Sequence, residues 1–214
     1  MSITNPTASA ISAIPSSGTI LHVGCGSKHK DQTPFAALDW REIRLDINAD
    51  VQPDVIGTMT DMAAVASSSV DAVFSSHNIE HLYPDEVPVA LAEFKRVLKP
   101  TGFALITCPD LQSVCALVAA DKLTETAYTS PAGPIAPIDI LYGHRASIKA
   151  GNHYMAHRCG FTSKVLSGTL QAAGFLQVAS LARSAAFDLW ALATCEAWSE
   201  EALRAAASQL FPQG

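Results

Sequence analysis

Thr19-Ile20-Leu21-His22-Val23-Gly24-Cys25-Gly26-Ser27 runs a short apolar strand directly into Gly-Cys-Gly. A strand that ends on glycines lets backbone approach a ligand closely, at the carboxyl edge of a parallel sheet. The rest of the chain decides whether such a sheet exists and what it holds.

Working outward, apolar runs alternate with amphipathic ones. Ile20–Val23, Glu42–Ile47, Asp54–Ile56, Val70–Ser76 and Phe103–Thr107 read as strands. Pro84 to Leu98 is the clearest helix, because Val87, Leu91, Phe94 and Leu98 fall on one face. Pro34 opens a short helix, and Leu111 to Leu123 forms another. Thr124 to Ile138, with Pro131, Gly133, Pro134 and Pro137, reads as irregular. Ser163 to Ala173 is a helix stopped by Gly174. Phe175–Leu181 and Phe187–Thr194 form an antiparallel strand pair, and Ser199 caps a last helix to Leu210. The pattern predicts an α/β, doubly wound, mostly parallel seven-stranded sheet with an antiparallel edge. Residues 1–18 read as a flexible leader with docking points at Ile11 and Ile14. Residues 19–214 read as a single domain with an insertion at about 124–161.

Composition bounds the function. The 214 residues are 49% hydrophobic and 16% charged, with a net charge of −6. That is a globular composition without a basic run, so nucleic acid is not expected as a partner. Five cysteines without a CxxC pair fit a reduced, cytoplasmic protein. No signal peptide or membrane span is read in the N-terminal stretch. Trp190, Trp198 and the Ala-rich final helix offer a surface for a homodimer.

In such a sheet the ligand lies across the strand exits. The exits supply Gly24-Cys25-Gly26, then Asp46 with Ile47, then Asp61 with Met62, then Ser76 and His77. A carboxylate at the second exit can accept both hydroxyl protons of a ribose. Asp61 can accept from an adenine amine, and Ile47 and Met62 can sandwich the ring. A dinucleotide fingerprint would need a third glycine where His29 stands, and there is no P-loop. The exits suit an adenosine without phosphates.

Leu21-His22-Val23-Gly24-Cys25-Gly26, Leu45-Asp46-Ile47, Asp61 and Val70–Leu82 in this order resemble the class I S-adenosylmethionine-dependent methyltransferases. Glu93-Phe94-Lys95-Arg96-Val97-Leu98-Lys99-Pro100-Thr101-Gly102-Phe103 is similar to the helix-to-strand passage of their type 11 family. The resemblance covers roughly residues 19 to 110. It implies a Rossmann-like sheet, S-adenosyl-L-methionine as cofactor, and methyl transfer. It also implies that Gly24, Cys25 and Gly26 border the methionine part of the cofactor, Asp46 the ribose, Ile47, Asp61 and Met62 the adenine, and Ser76 and His77 the sulfonium end. His22 departs from the family, which places a carboxylate there.

Displacement at a sulfonium methyl needs alignment and exclusion of water, and a base only where the acceptor arrives protonated. His77, His144 and His153 are the candidate bases. Tyr142, Arg145, Tyr154 and His157 are the candidate contacts to a small-molecule substrate. His153 and His157, four apart, would share a helix face if that stretch were helical, but no third ligand is fixed by spacing and no metal is expected. A peptide or protein acceptor, and a cofactor-binding protein without turnover, are the alternatives.

Overall fold

The computed structural model describes residues 14–213. It contains one seven-stranded sheet, in the order β3-β2-β1-β4-β5-β9-β8, and a separate two-stranded one, β6-β7. In chain order the elements are β1 (Ser17–Val23), β2 (Asp39–Asp46), β3 (Val55–Ile56), β4 (Val70–Ser76), α1 (Val87–Val97), β5 (Leu98–Pro109), α2 (Leu111–Ala119), β6 (Tyr128–Ser130), β7 (Gly133–Ile135), α3 (Pro137–Tyr142), α4 (Arg145–Lys149), α5 (Ser163–Ala172), β8 (Gln177–Arg183), β9 (Asp188–Thr194) and α6 (Glu200–Leu210).

Strands β1 to β5 are parallel. The expected antiparallel pair closes one edge, with β9 antiparallel to both β5 and β8. The chain leaves β1 for β2 and β3, then crosses back to place β4 on the other side of β1. This reversal opens a crevice at the carboxyl ends of β1 and β4, where ligands of open α/β sheets bind.

Both faces of the sheet are covered. On one, Val87, Leu91 and Phe94 of α1 and Leu166 and Leu170 of α5 pack on Leu21, Val73 and Ile106. On the other, Ala206 and Leu210 of α6 pack with Ile20, Phe74 and Leu105. The helix expected from Pro34 is absent. A 3-10 turn at Lys30–Gln32 precedes Pro34, and Phe35 is fully buried against Trp40, Phe74 and Phe103. One aromatic plug there does the covering that a helix would otherwise do. Burying a side chain of this size contributes about 1.5–3 kcal/mol.

Several expected boundaries shift. β5 takes in Leu98–Pro100, so α1 ends one residue sooner; α2 stops at Ala119. Within the stretch read as irregular, Tyr128–Ser130 and Gly133–Ile135 pair as a hairpin, and Pro137 opens α3. Proline fits there because the first helical position has no N–H to lose. At the N-terminus, Ser17 and Gly18 of the expected leader are paired with Asp39 and Trp40. Ile14 is buried in the cluster with Phe35 and Trp40. Residues 1–13, Ile11 among them, lie outside the described residues. Trp198 packs on Phe103 and Trp190 on Phe211, within the chain itself.

Candidate active site

The turn after β1 is the centre of the crevice. Gly24 and Gly26 both have left-handed backbone, with φ of 62° and 53°. A Cβ at Gly24 would run into the Asn78 amide, whereas one at Gly26 would meet nothing within 4 Å. Asn78 in turn donates to the carbonyls of Val23 and Ser76, at 3.0 and 3.1 Å, and so ties the β1 and β4 exits together. Gly24 is thus glycine for the protein's own packing, and Gly26 is the bare position on the open side.

Asp46, buried at the exit of β2, reaches back to this turn. Its Oδ2 accepts from the Gly26 N–H at 2.7 Å and its Oδ1 from the Asn48 N–H at 2.8 Å. Each carboxylate oxygen retains a lone pair for a further donor. Beneath the turn, the buried Arg44 side chain donates to the carbonyls of Gly26, Lys28, Val51 and Gln52, at 2.6 to 3.2 Å. One guanidinium therefore fastens the loops after β1 and β2 together. Sequence reasoning passed over Arg44; the one signal was a cation inside an otherwise buried strand end.

Asp46 pairs in register with Ile56, and beyond this pair lies a cavity of about 300 Å³. Its lining includes Val55, Ile56, Thr58, Asp61 and Met62. Asp61 is exposed, and Ile47 is exposed at the neighbouring exit. The Met62 side chain is 1% exposed and belongs to the core, so it borders the cavity rather than standing over it as one half of a sandwich. The Met62 N–H donates to Glu93 at 2.8 Å, and Arg96 donates to the carbonyls of Met62 and Val65. Glu93 and Arg96, paired to each other at 2.6 Å, are thus the helix residues that hold this loop.

At the β4 exit the Ser76 hydroxyl meets that of Thr107 at 2.9 Å. His77 follows with φ of 55° and a side chain 49% exposed. Its Nδ1 lies 3.4 Å from Oε1 of Glu80, whose side chain is 1% exposed. Desolvation disfavours the His77 imidazolium, but pairing with Glu80 outweighs it and raises the pKa. Glu80 was not singled out from sequence; its signal was the three-residue spacing from His77, inside an apolar turn.

His22 does not face the crevice as the family's carboxylate would. It is buried, 2.9 Å from Glu42 and tilted against Phe74, ring centroids 5.1 Å apart. Burial lowers its pKa despite Glu42. Cys25 is buried too, and burial pushes its thiol up to about 11, so it is inert as a nucleophile.

The segment between α2 and α5 comes back to the crevice through Arg158 and Cys159. Their N–H groups donate to the Glu80 carbonyl at 2.8 and 3.2 Å. Tyr142 and Tyr154 are 65% and 60% exposed. The Arg145 guanidinium is bound to Asp139, with Nε to Oδ1 at 2.6 Å. His144 bonds Ser147 at 2.8 Å, and His153 is exposed. The shared helix face expected for His153 and His157 does not form. The 3-10 turn His153–Met155 ends at an extended Ala156, and His157 instead packs on His81, ring centroids 4.9 Å apart.

Residues 21–106 match the family model of the methyltransferase domain. No curated protein matches the chain by sequence. Among solved structures, the chain is similar to a Burkholderia thailandensis 1,6-didemethyltoxoflavin-N1-methyltransferase with bound 1,6-didemethyltoxoflavin and S-adenosylhomocysteine. The TM-score is 0.53 at 16% identity, over 87% of this chain and 79% of that one. A possible histamine N-methyltransferase from Thermotoga maritima gives 0.54 at 15% identity, over 87% and 86%. An S-adenosylmethionine-dependent methyltransferase from Archaeoglobus fulgidus gives 0.54 at 15%, over 82% and 85%. Residues 21–106 thus resemble the methyltransferase domain, and the chain shares its fold with these S-adenosylmethionine-dependent methyltransferases.

Proposed function

We propose that the protein transfers a methyl group from S-adenosylmethionine to a small-molecule acceptor. The observation that carries this reading is the buried Asp46 carboxylate, held across the bare turn at Gly26 with lone pairs to spare. A buried carboxylate beside an uncovered glycine is a fitting cradle for a ribose hydroxyl pair, and this turn offers no helix N-terminus for a phosphate. In this reading Gly24, Cys25 and Gly26 border the methionine part, Asp46 takes the ribose, and Ile47, Asp61 and the edge of Met62 border the adenine. When bound, the cofactor supplies an electrophilic methyl group on sulfur.

The chain's own work is placement. Arg44, Asn78 and the Glu93–Arg96 pair fix the three loops before any ligand arrives, so little ordering is left to be done on binding. His77 is the side chain that offers a ring nitrogen to the crevice, since Nδ1 faces Glu80 and Nε2 remains. It would take the proton of a hydroxyl or amine acceptor. The exposed rings of Tyr142 and Tyr154 give the α2–α5 segment surface for a flat acceptor, with His157 and Arg145 nearby in sequence.

Calorimetric titration with S-adenosylhomocysteine should show saturable binding to one site per chain, and NAD should show none. A silent titration with the first would remove the reading. His77→Ala should then lower turnover while leaving that binding in place.

A further inference from the structure

Glu80 presents a problem that the methyl-transfer site does not solve. Its carboxylate is buried, and neither oxygen has a hydrogen-bond partner among the described residues. The His77 ring stands 3.4 Å away, beyond a good hydrogen bond. A buried charge left in this state is costly unless something coordinates it.

On the other side of Glu80 stand His81, on the same 3-10 turn Ile79–His81, and His157, from the return of the α2–α5 segment. One ligand atom from each of Glu80, His81 and His157 lies within 4.8 Å of the other two. Both rings are already fixed at Nδ1. His81 is held there by the Ala156 carbonyl at 3.1 Å, and His157 by the Ile140 carbonyl at 2.7 Å. A neutral imidazole that donates through Nδ1 keeps its lone pair on Nε2. Carbonyl anchoring of this kind is how outer partners orient metal-binding histidines.

We propose that Glu80, His81 and His157 bind a divalent transition-metal ion, with zinc the ion best matched to two imidazoles and one carboxylate. The ion would give the Glu80 oxygens the partner they lack and would clip the return of the α2–α5 segment to the β4 exit. Zinc bonds of about 2.0–2.2 Å require the donors to draw in from their present spacing. Three protein ligands leave a fourth tetrahedral position for water or an acceptor atom. The two histidines lie on opposite sides of a long sequence separation, so only the fold brings them together. The inference stands apart from the cofactor reading, which it neither needs nor supports.

The test uses the full chain, stripped with a chelator and returned to metal-free buffer. Titration with zinc chloride should show one ion per chain and a rise in melting temperature. Cobalt(II) should give the visible bands of a four-coordinate site. Glu80→Gln and His157→Gln should each weaken binding by more than the roughly 10–100-fold typical of a lost outer-shell partner. His153→Gln and Cys115→Ser, both exposed residues away from the cluster, should leave binding unchanged. Circular dichroism identifies any variant that fails to fold, and His81→Gln then stands in for it. No uptake by the wild type, or uptake insensitive to Glu80, His81 and His157, overturns the proposal. S-adenosylhomocysteine titration of the same samples separates this outcome from failure of the cofactor reading.

Discussion

The turn after β1 and the segment between α2 and α5 reach the same edge of the sheet but are held by different means. At the turn, fixed groups grip backbone: Arg44 grips four carbonyls, Asp46 two N–H groups, and Asn78 two more carbonyls. The α2–α5 segment is a string of short elements, the hairpin β6–β7, then α3 and α4, none longer than six residues. Tyr142, His153 and Tyr154 are exposed on it, between a few anchors at Asp139, Ile140 and Glu80. A turn fixed through its backbone presents one shape whatever its side chains are. A segment fixed at a few points can vary its exposed side chains freely, and side chains decide which acceptor is taken. The difference predicts that mutations at the turn act on the cofactor and the fold, and mutations in the segment act on the acceptor.

The largest effect should come from Asp46→Ala. Charge-assisted hydrogen bonds contribute about 1.5–3 kcal/mol each. Losing both ribose bonds should weaken S-adenosylhomocysteine binding by about 100-fold or more in calorimetry. Unchanged affinity would end the assignment of Asp46, and with it the claim that the turn is the cofactor side.

The two glycines sharpen the comparison within the turn. Gly24→Ala must hold a left-handed backbone and displace the Asn78 amide. It should cost about 1–3 kcal/mol of stability in denaturant unfolding. Gly26→Ala carries only the left-handed penalty, about 1–2 kcal/mol, because its Cβ meets nothing. It should nevertheless lose more cofactor affinity than its stability loss accounts for. Equal losses of stability, with affinity untouched at Gly26, would show that its open side does not face the cofactor.

How far the sequence could be read follows the same division. Apolar strand runs and the α1 stripe predicted the sheet, because burial of a repeating face is a local pattern. The positions of Gly24, Gly26 and Asp46 at strand exits were legible for the same reason, since each closes or follows a run, and Asp61 lies in the loop after β3. Phe35 was not, since one buried aromatic in a polar loop leaves no periodicity. Arg44 was missed because its partners are backbone carbonyls of two loops, which no spacing records, and Glu80 because the three-residue spacing from His77 does not tell that its carboxylate is buried. The four-residue spacing of His153 and His157 would have joined them on one face only in a helix. His153–Met155 is a 3-10 turn followed by extended Ala156, and the fold pairs His157 with His81, across a gap that no local window spans.

His22 supplies a smaller effect, with a definite sign. Burial lowers its pKa, so the unfolded chain binds the proton more readily than the folded one. Its contribution is therefore present above the unfolded imidazole value of about 6.5 and is lost as pH falls below it. Melting temperature should drop on acidification through that range, and His22→Gln should drop less, since glutamine keeps a donor for Glu42 without titrating. An equal drop in both would mean that another group controls the acid limb.

Arg145→Ala should have the smallest effect on the fold. The guanidinium is exposed and holds Asp139 from outside, while the N–H groups of Ala136 and Arg145 hold it from within. Pairing with the Arg145 side chain is the main reason that the Asp139 carboxyl is held down at about 2. That contribution is present above the ordinary carboxylate value of about 3.9 and is lost as pH falls through about 2. In the variant the carboxyl resonance of Asp139 should titrate at higher pH, still below the ordinary value because the two backbone bonds remain. Melting temperature near neutral pH should fall only slightly, because the guanidinium of the pair is exposed. If Arg145 also meets an anionic acceptor, it must be shared with Asp139, so the variant should raise the acceptor's KM with cofactor binding intact. A collapse of the fold instead would mean that the α2–α5 segment depends on this one ion pair, and the contrast with the turn would fail.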